Sequence, residues 1–212
     1  MAPPFYNQSF IAKAANQRAV LMMASYFIPS ETVFRRNVLE KVGLYEVDIT
    51  NFMDWWLLYK CSCVSDMGCI NEKLCRYRIW GRSDTSYMTN HMIMPLTGFL
   101  IRNEMLKFAR RENDQGMIER EDMAIAKQAD LTCKLGVNVI RNGDYAMGRH
   151  YLQLACAFNE GIKESPLFQS VDEYLNNEKK EVGIDQFLEE RNLCGCRNQS
   201  YDPPTDFIPY HA

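Results

Sequence analysis

Apolar positions follow different patterns before and after residue 90. From Gln8 to about Ala24 they recur at helical spacing and predict a helix. Residues 25–34 are richer in β-forming side chains and predict a strand with an irregular start at Pro29. A short helix is then predicted from Asn37 to Lys41, because Gly43 stands where a glycine commonly ends a helix.

A second, aromatic helix is predicted from about Phe52 to Val64, with Thr50 or Asn51 as its N-cap. One face of this helix is apolar and aromatic, since its large side chains are spaced at helical intervals. Two short strands are predicted after it, at residues 67–70 and 74–79, on either side of a polar turn. The residues of the aromatic face are Phe52, Trp56, Tyr59 and Cys63.

After residue 90 the pattern becomes purely helical. Long helices are predicted for Leu96–Arg111, Ile118–Arg141 and Tyr145–Asn159, separated by turns that contain glycine. Weaker helical patterns follow at about residues 169–178 and 184–191. The tail from residue 194 contains several prolines and is predicted to be extended.

These patterns divide the chain into an α/β, aromatic part at residues 1–90, a helical region at 91–193 and an extended tail at 194–212. Within the helical region, the turn Asn142-Gly143-Asp144-Tyr145 and the later Ala155 resemble part of a tetratricopeptide-like hairpin. A helical-repeat interaction protein is therefore one hypothesis. A single hairpin supports it weakly, because such repeats need several copies to bury a core.

Composition excludes several classes of protein. The 212 residues are 47% hydrophobic and 24% charged, which is typical of a globular protein, and the net charge of −3 gives no positive field to attract nucleic acid. No stretch approaches the 18 uncharged apolar residues of a transmembrane helix. The first 20 residues do not have the pattern of a signal peptide, so we expect a cytoplasmic location, or a peripheral one at a membrane.

The eight cysteines do not have the spacing of a metal site. In a cytoplasmic protein they are expected to be buried thiols rather than disulfides. Zinc sites usually contain pairs separated by two to four residues, whereas the closest pairs here are separated by one. We therefore predict no metal ligands in this chain. The cysteines are Cys61, Cys63, Cys69, Cys75, Cys133, Cys156, Cys194 and Cys196.

An arginine pair at 35–36, an acidic helix start at Asp54 and a Tyr-Arg pair at 77–78 occur in this order along residues 34–86. This stretch resembles the acceptor-side half of a family-2, GT-A-fold glycosyltransferase. In that family an arginine pair precedes a short helix that ends in glycine and an aromatic residue, an acidic residue begins the next helix, and a later strand ends in Tyr-Arg. The same order and spacing occur here. The matching segments are Phe34-Arg35-Arg36, Val38 to Tyr45, Asp54-Trp55-Trp56-Leu57, Leu74 and Tyr77-Arg78.

The resemblance implies a partial GT-A-like mixed sheet with flanking helices, followed by an all-helical tail. It implies that Asp54 is the general base, which deprotonates the acceptor hydroxyl in an inverting transfer of a sugar from a nucleotide-sugar donor to a glycan or saccharide. Trp55 and Trp56 would stack on a sugar, and Arg78 and Arg82 would contact the donor diphosphate.

Two residues depart from the family pattern. Met53 stands where a second acidic residue is usual, and Trp80 replaces a frequent histidine. Trp80 is counted with the substrate-binding residues, although an indole does not ligate a metal. The family's donor-binding half, with its Asp-x-Asp-type metal motif, has no counterpart before Phe34. A Mg or Mn ion bound with the donor would therefore have its ligands outside this chain, in a missing N-terminal half or another polypeptide.

Simpler interpretations remain open for the same residues. Asp54 suits a capping box with Asn51 and favours the helix dipole. One tryptophan of the Trp55-Trp56 pair is expected to face the core, and the arginines at 35, 36 and 78 are suited to ion pairs. The alternative function is a non-catalytic glycan- or protein-binding module derived from a glycosyltransferase.

Overall fold

The computed structural model describes residues 9–23, 29–46, 48–49, 51–70, 72, 87–89, 91–177, 181–193 and 208–209. This part of the chain is mostly helical. Short 3-10 turns occur at Pro29–Glu31 and Glu160–Glu164. The α-helices are α1 Ala14–Met23, α2 Arg36–Val42, α3 Met53–Ser62, α4 Ile93–Arg111, α5 Gln115–Ile118, α6 Glu121–Arg141, α7 Tyr145–Phe158, α8 Pro166–Asn176 and α9 Ile184–Glu189.

A small antiparallel sheet is the β-structure of the described residues. Its strands are β1 Phe10–Ala12, β2 Met67–Cys69 and β3 Ile208–Pro209, with β1 in the centre. The predicted GT-A-like mixed sheet is therefore wrong for this structure. Two- and three-residue strands are at or below the short end of the usual range, and no parallel pair occurs among them.

Local predictions had different outcomes before residue 70. Helices α2 and α3 and strand β2 are confirmed, and Gly43 follows α2 with a φ of 80°. The strand predicted for residues 25–34 is wrong for its described part, because Pro29–Glu31 forms a 3-10 turn. Proline suits the first position of such a turn, since its fixed φ is helical and its missing N–H needs no partner. The strand predicted at 74–79 lies outside the described residues.

Helix α1 begins later than predicted, because residues 10–12 pair in the sheet before the helix starts. Its first N–H is satisfied from a distant part of the chain. Asp66 Oδ1 accepts a hydrogen bond from the Ala14 N–H at 2.9 Å, and Asp66 Oδ2 accepts one from Lys13 Nζ at 2.9 Å. A carboxylate at this end stabilises the helix by the same chemistry as an ordinary N-cap.

The chain forms two compact units, each built from separate stretches of sequence. The first unit contains the described residues of Met1–Ile79, Leu100–Glu121 and Ser200–Ala212, and the second contains those of Trp80–Phe99 and Asp122–Gln199. The core of the first unit is rich in aromatic side chains from α3. The core of the second unit consists of apolar residues from α6, α7, α8 and α9.

Helices α6 and α7 approach each other closely at two glycines. A Cβ atom on Gly136 would lie 2.8 Å from the Cβ of Tyr151, and one on Gly148 would lie 2.5 Å from Cγ1 of Ile140. Both neighbours are buried, so neither has space to move away. The absence of a side chain at these positions allows the two helices to pack in contact.

Two turns between helices share one design and lie thirty residues apart. We call residues 109–118 the first corner and residues 139–148 the second corner. Each has a residue with positive φ, Asn113 at 54° or Gly143 at 86°, followed by the N-cap aspartate of the next helix. In each, the aspartate side chain accepts from the N–H of a methionine three residues later. The corners thus repeat a structural element whose second copy resembled a tetratricopeptide-like turn.

Candidate functional site

Asp54 lies in the first turn of α3, where its carboxylate is partly accessible. Its Oδ1 accepts a hydrogen bond from the N–H of Trp55 at 2.9 Å. No ion pair is made by this carboxylate within the described part of the chain. The carboxylate therefore combines a defined orientation with an oxygen that can accept a proton from a ligand.

The start of α3 differs from the predicted capping box. Phe52, rather than Asn51, is the N-cap, and it has a φ of 59° and makes no side-chain cap bond. Asn51 Oδ1 instead accepts from the Phe52 N–H at 2.9 Å. A bulky residue in the left-handed region is uncommon and costs conformational energy, so contacts elsewhere must hold this turn in place.

Trp55 is one of those contacts. Only 2% of its surface is exposed, and its indole N–H donates to the Leu21 carbonyl at 2.6 Å. The buried guanidinium of Arg102 lies 4.7 Å from the ring centroid, and Phe52 packs edge-on against the ring at 5.4 Å. Arg102 also donates to the carbonyl of Met23. A cation above a desolvated indole is a favourable contact that helps to fix α3 against α1.

Trp56 is also buried, with 7% of its surface exposed. Its N–H donates to Glu46 Oε1 at 2.8 Å, and the same oxygen accepts from Lys60 Nζ at 3.0 Å. Burial raises the pKa of Glu46, but the hydrogen bonds from Trp56 and Lys60 together with the Lys60 charge outweigh it, so the net pKa is lowered. The loop before α3 is thereby attached to the helix.

In this structure neither tryptophan has an open face for a sugar. One tryptophan was expected to face the core and the other the cleft, but both face the core. The next residues on α3 are buried as well. A sugar contact by either ring stays a prediction. What the sequence did not identify is the anchoring by Arg102 and Glu46, because neither residue belongs to the matched motif. The available signal for Arg102 was its position directly after the apolar residues 99–101 of α4.

The remaining predicted site residues are in different situations. Arg78, Trp80 and Arg82 lie outside the described residues, so their predicted roles stay predictions. Arg35 and Arg36 are exposed at the start of α2, and neither forms an ion pair with another described residue. Of the predicted site residues, the structure describes Asp54, Trp55 and Trp56, which are consecutive in the sequence.

The described residues contain neither clustered metal ligands nor a membrane-spanning helix. No group of three or more His, Cys, Asp or Glu side chains in the described ranges is arranged to hold a metal ion. The thiols at 61, 63, 69, 133 and 156 are not joined by disulfides within the described part of the chain. Across the part of the chain that is described, no helix is both long and apolar enough to span a bilayer.

Comparisons with known proteins add no relative. No family model matches the chain, and neither a curated protein nor a solved structure is significantly similar to it.

Proposed function

We propose that this chain is the acceptor-side part of a glycosyltransferase-type enzyme, in which Asp54 is the general base. The single observation that carries the proposal is the accessible position of the Asp54 carboxylate on a buried helix. Its carboxylate is accessible at the start of a helix whose next five residues are all buried. A general base needs such a defined position, because proton transfer requires hydrogen-bond reach to the acceptor hydroxyl.

In this proposal Trp55 and Trp56 position the base. Their indole N–H groups are held by Leu21 and Glu46, which prevents α3 from rotating and moving the carboxylate. The acceptor is a glycan or saccharide hydroxyl, and the donor is a nucleotide sugar. A Mg or Mn ion bound with the donor has its ligands in another polypeptide segment or another chain. The proposed location is the cytoplasm or the periphery of a membrane.

The test is Asp54→Asn in the natural full-length context, or in a mixture with the polypeptide that binds the donor. We expect sugar transfer to fall about 10²- to 10⁴-fold, because the amide cannot take up the proton. Release of nucleotide from the donor measures the rate. Asp48→Asn is the matched control, since Asp48 is an exposed carboxylate close in sequence that forms no ion pair with a described residue. Transfer at the wild-type rate by Asp54→Asn would exclude this residue as the base.

A non-catalytic binding module is the second candidate. The observation that favours it is the helical second unit, in which the second corner repeats the design of the first. Titration with nucleotide sugars separates the two candidates. Saturable binding that is weakened by substitution of Arg78 supports the enzyme, whereas binding of a protein or glycan without any nucleotide-sugar binding supports the module.

A further inference from the structure

A cavity of about 480 Å³ lies beside the second corner, within the second unit. It combines three polar side chains with an apolar part, and its size is in the range of ordinary ligand sites. His91 is exposed, and its ring stacks on Tyr87 with centroids 4.1 Å apart. The residues that line the cavity are His91, Val139, Asn142, Asp144 and Met147.

The first corner shows what its N-cap aspartate can hold. Asp114 uses Oδ1 to accept from the Met117 N–H at 3.3 Å, so that Oδ2 is directed to another partner. That partner is Arg18, whose Nε and Nη2 both lie 2.9 Å from Oδ2. The side chains of this pair are 18% and 23% exposed, so it is a partly buried, charge-assisted contact.

The second corner has the same aspartate without the arginine. Asp144 Oδ1 accepts from the Met147 N–H at 2.9 Å, which reproduces the cap of the first corner. Its carboxylate has no cationic partner among the residues that the structure describes, and Asp144 lines the cavity. Two copies of one turn therefore differ in that one holds a guanidinium and the other borders an open volume.

We propose that this cavity binds an arginine side chain of a partner polypeptide. The aliphatic part of an arginine would pack on Val139 and Met147, and its guanidinium would donate to Asp144 Oδ2 and to the amide oxygen of Asn142. The planar group also stacks well on a ring, which His91 provides. This assignment is independent of the proposed sugar transfer.

The direct test is titration of the full chain with N-acetyl-arginine-N-methylamide, followed by amide chemical shifts in NMR spectra. The citrulline analogue has nearly the same shape without the charge, and the lysine analogue has the charge without the planar head. We expect the arginine probe to bind at least about tenfold more tightly than either, since charge-assisted bidentate contacts are the stronger ones. Equal affinity for citrulline or lysine would overturn the proposal.

The variant Asp144→Asn tests whether the arginine probe binds at the second corner. Asparagine is as good an N-cap as aspartate, so the corner keeps its fold while it loses the charge. We expect at least about a tenfold loss of affinity for the arginine probe. Asp114→Asn, at the equivalent position of the first corner, is the matched control and leaves the affinity unchanged. An unchanged affinity in Asp144→Asn, with the helical circular-dichroism signal preserved, would refute the assignment.

Discussion

Replacing a glycine by alanine is expected to have opposite effects on stability at two helical positions of this chain. The space around each glycine determines the effect. A Cβ added to Gly148 in α7 would lie 2.5 Å from Cγ1 of buried Ile140. A Cβ added to Gly116 in α5 would lie 3.6 Å from its nearest neighbouring atoms. In both helices alanine would be the better residue intrinsically, by roughly 1 kcal/mol. Packing therefore determines whether the alanine substitution raises or lowers the free energy of unfolding.

Gly148→Ala is expected to lower the free energy of unfolding by about 1–2 kcal/mol, because overpacking at 2.5 Å exceeds the gain in helix propensity. Gly116→Ala is expected to leave stability unchanged or raise it by up to about 1 kcal/mol. Urea denaturation followed by circular dichroism measures both. Stabilisation by Gly148→Ala would mean that α6 and α7 are further apart than the structure shows.

At the same scale, sequence reasoning placed Asp54 at the start of a helix, where the structure also has it. It did not determine which faces of Trp55 and Trp56 are covered. Their burial depends on Leu21, Arg102 and Glu46, which are 34, 47 and 10 residues away along the chain. Helical periodicity gives the direction of a side chain relative to its own helix, but not the partner that covers it.

Among the elements, helix α1 depends on a cap that its own sequence does not supply. Its first N–H is bonded to Asp66, which also contacts Lys13. The hydrogen bond from Lys13, followed by that from the Ala14 N–H, lowers the pKa of Asp66. The carboxylate is 40% exposed, so solvent screens the ion pair and the cap is the larger effect.

Asp66→Ala is expected to lower the free energy of unfolding by about 0.5–2 kcal/mol at neutral pH, as for loss of an N-cap. Because the folded-state pKa is lowered, this contribution is complete above the ordinary aspartate value of about 4 and is lost as the pH falls through the lower, folded value. The difference between wild type and variant should therefore shrink below about pH 4.

Urea denaturation at neutral pH and at about pH 3 gives this comparison. Asp48→Ala, a variant of an exposed carboxylate for which no hydrogen bond is described, should show neither the loss nor its pH dependence. A stability difference for Asp66→Ala that is the same at both pH values would contradict a role for the charged form of Asp66.

The elements themselves were predictable to different degrees. Helices α4, α6 and α7 have long amphipathic patterns and were predicted at nearly their observed positions, and the weaker patterns at 169–178 and 184–191 correspond to α8 and α9. Strand β1 was assigned to a helix, because three residues are too few to show alternation and their pairing partners lie 55–59 positions away in β2 and 197–199 positions away in β3. The mixed sheet was expected from the family resemblance, and the described chain forms short antiparallel pairs instead.

For the molecule as a whole, the two compact units contain thiols that can report on each separately. Cys61 and Cys133 are both buried, the first in the first unit and the second in the core of the second. Burial raises the pKa of Cys63 to about 11 and that of Cys69 to about 12. These thiols react as thiolates, so they are expected to be slow in the folded protein.

We predict that the units unfold as separate cooperative blocks. Alkylation in increasing urea, with site assignment by peptide mass spectrometry, should show that Gly148→Ala shifts the labelling of Cys133 to lower urea and leaves that of Cys61 in place. Asp66→Ala should do the reverse. A shift of both thiols by either variant would show that the chain unfolds as one block.

By itself the sequence predicted the long helices after residue 90 and the turns between them. These properties depend on residues within about one or two helical turns, such as the N-cap aspartates and the residues of positive φ at both corners. Tertiary structure alone decided that α3 buries both tryptophans, that Asp66 caps α1, and that one corner aspartate holds an arginine while its repeat borders a cavity. Each of these depends on a partner many residues away, and sequence periodicity contains no information about such distances.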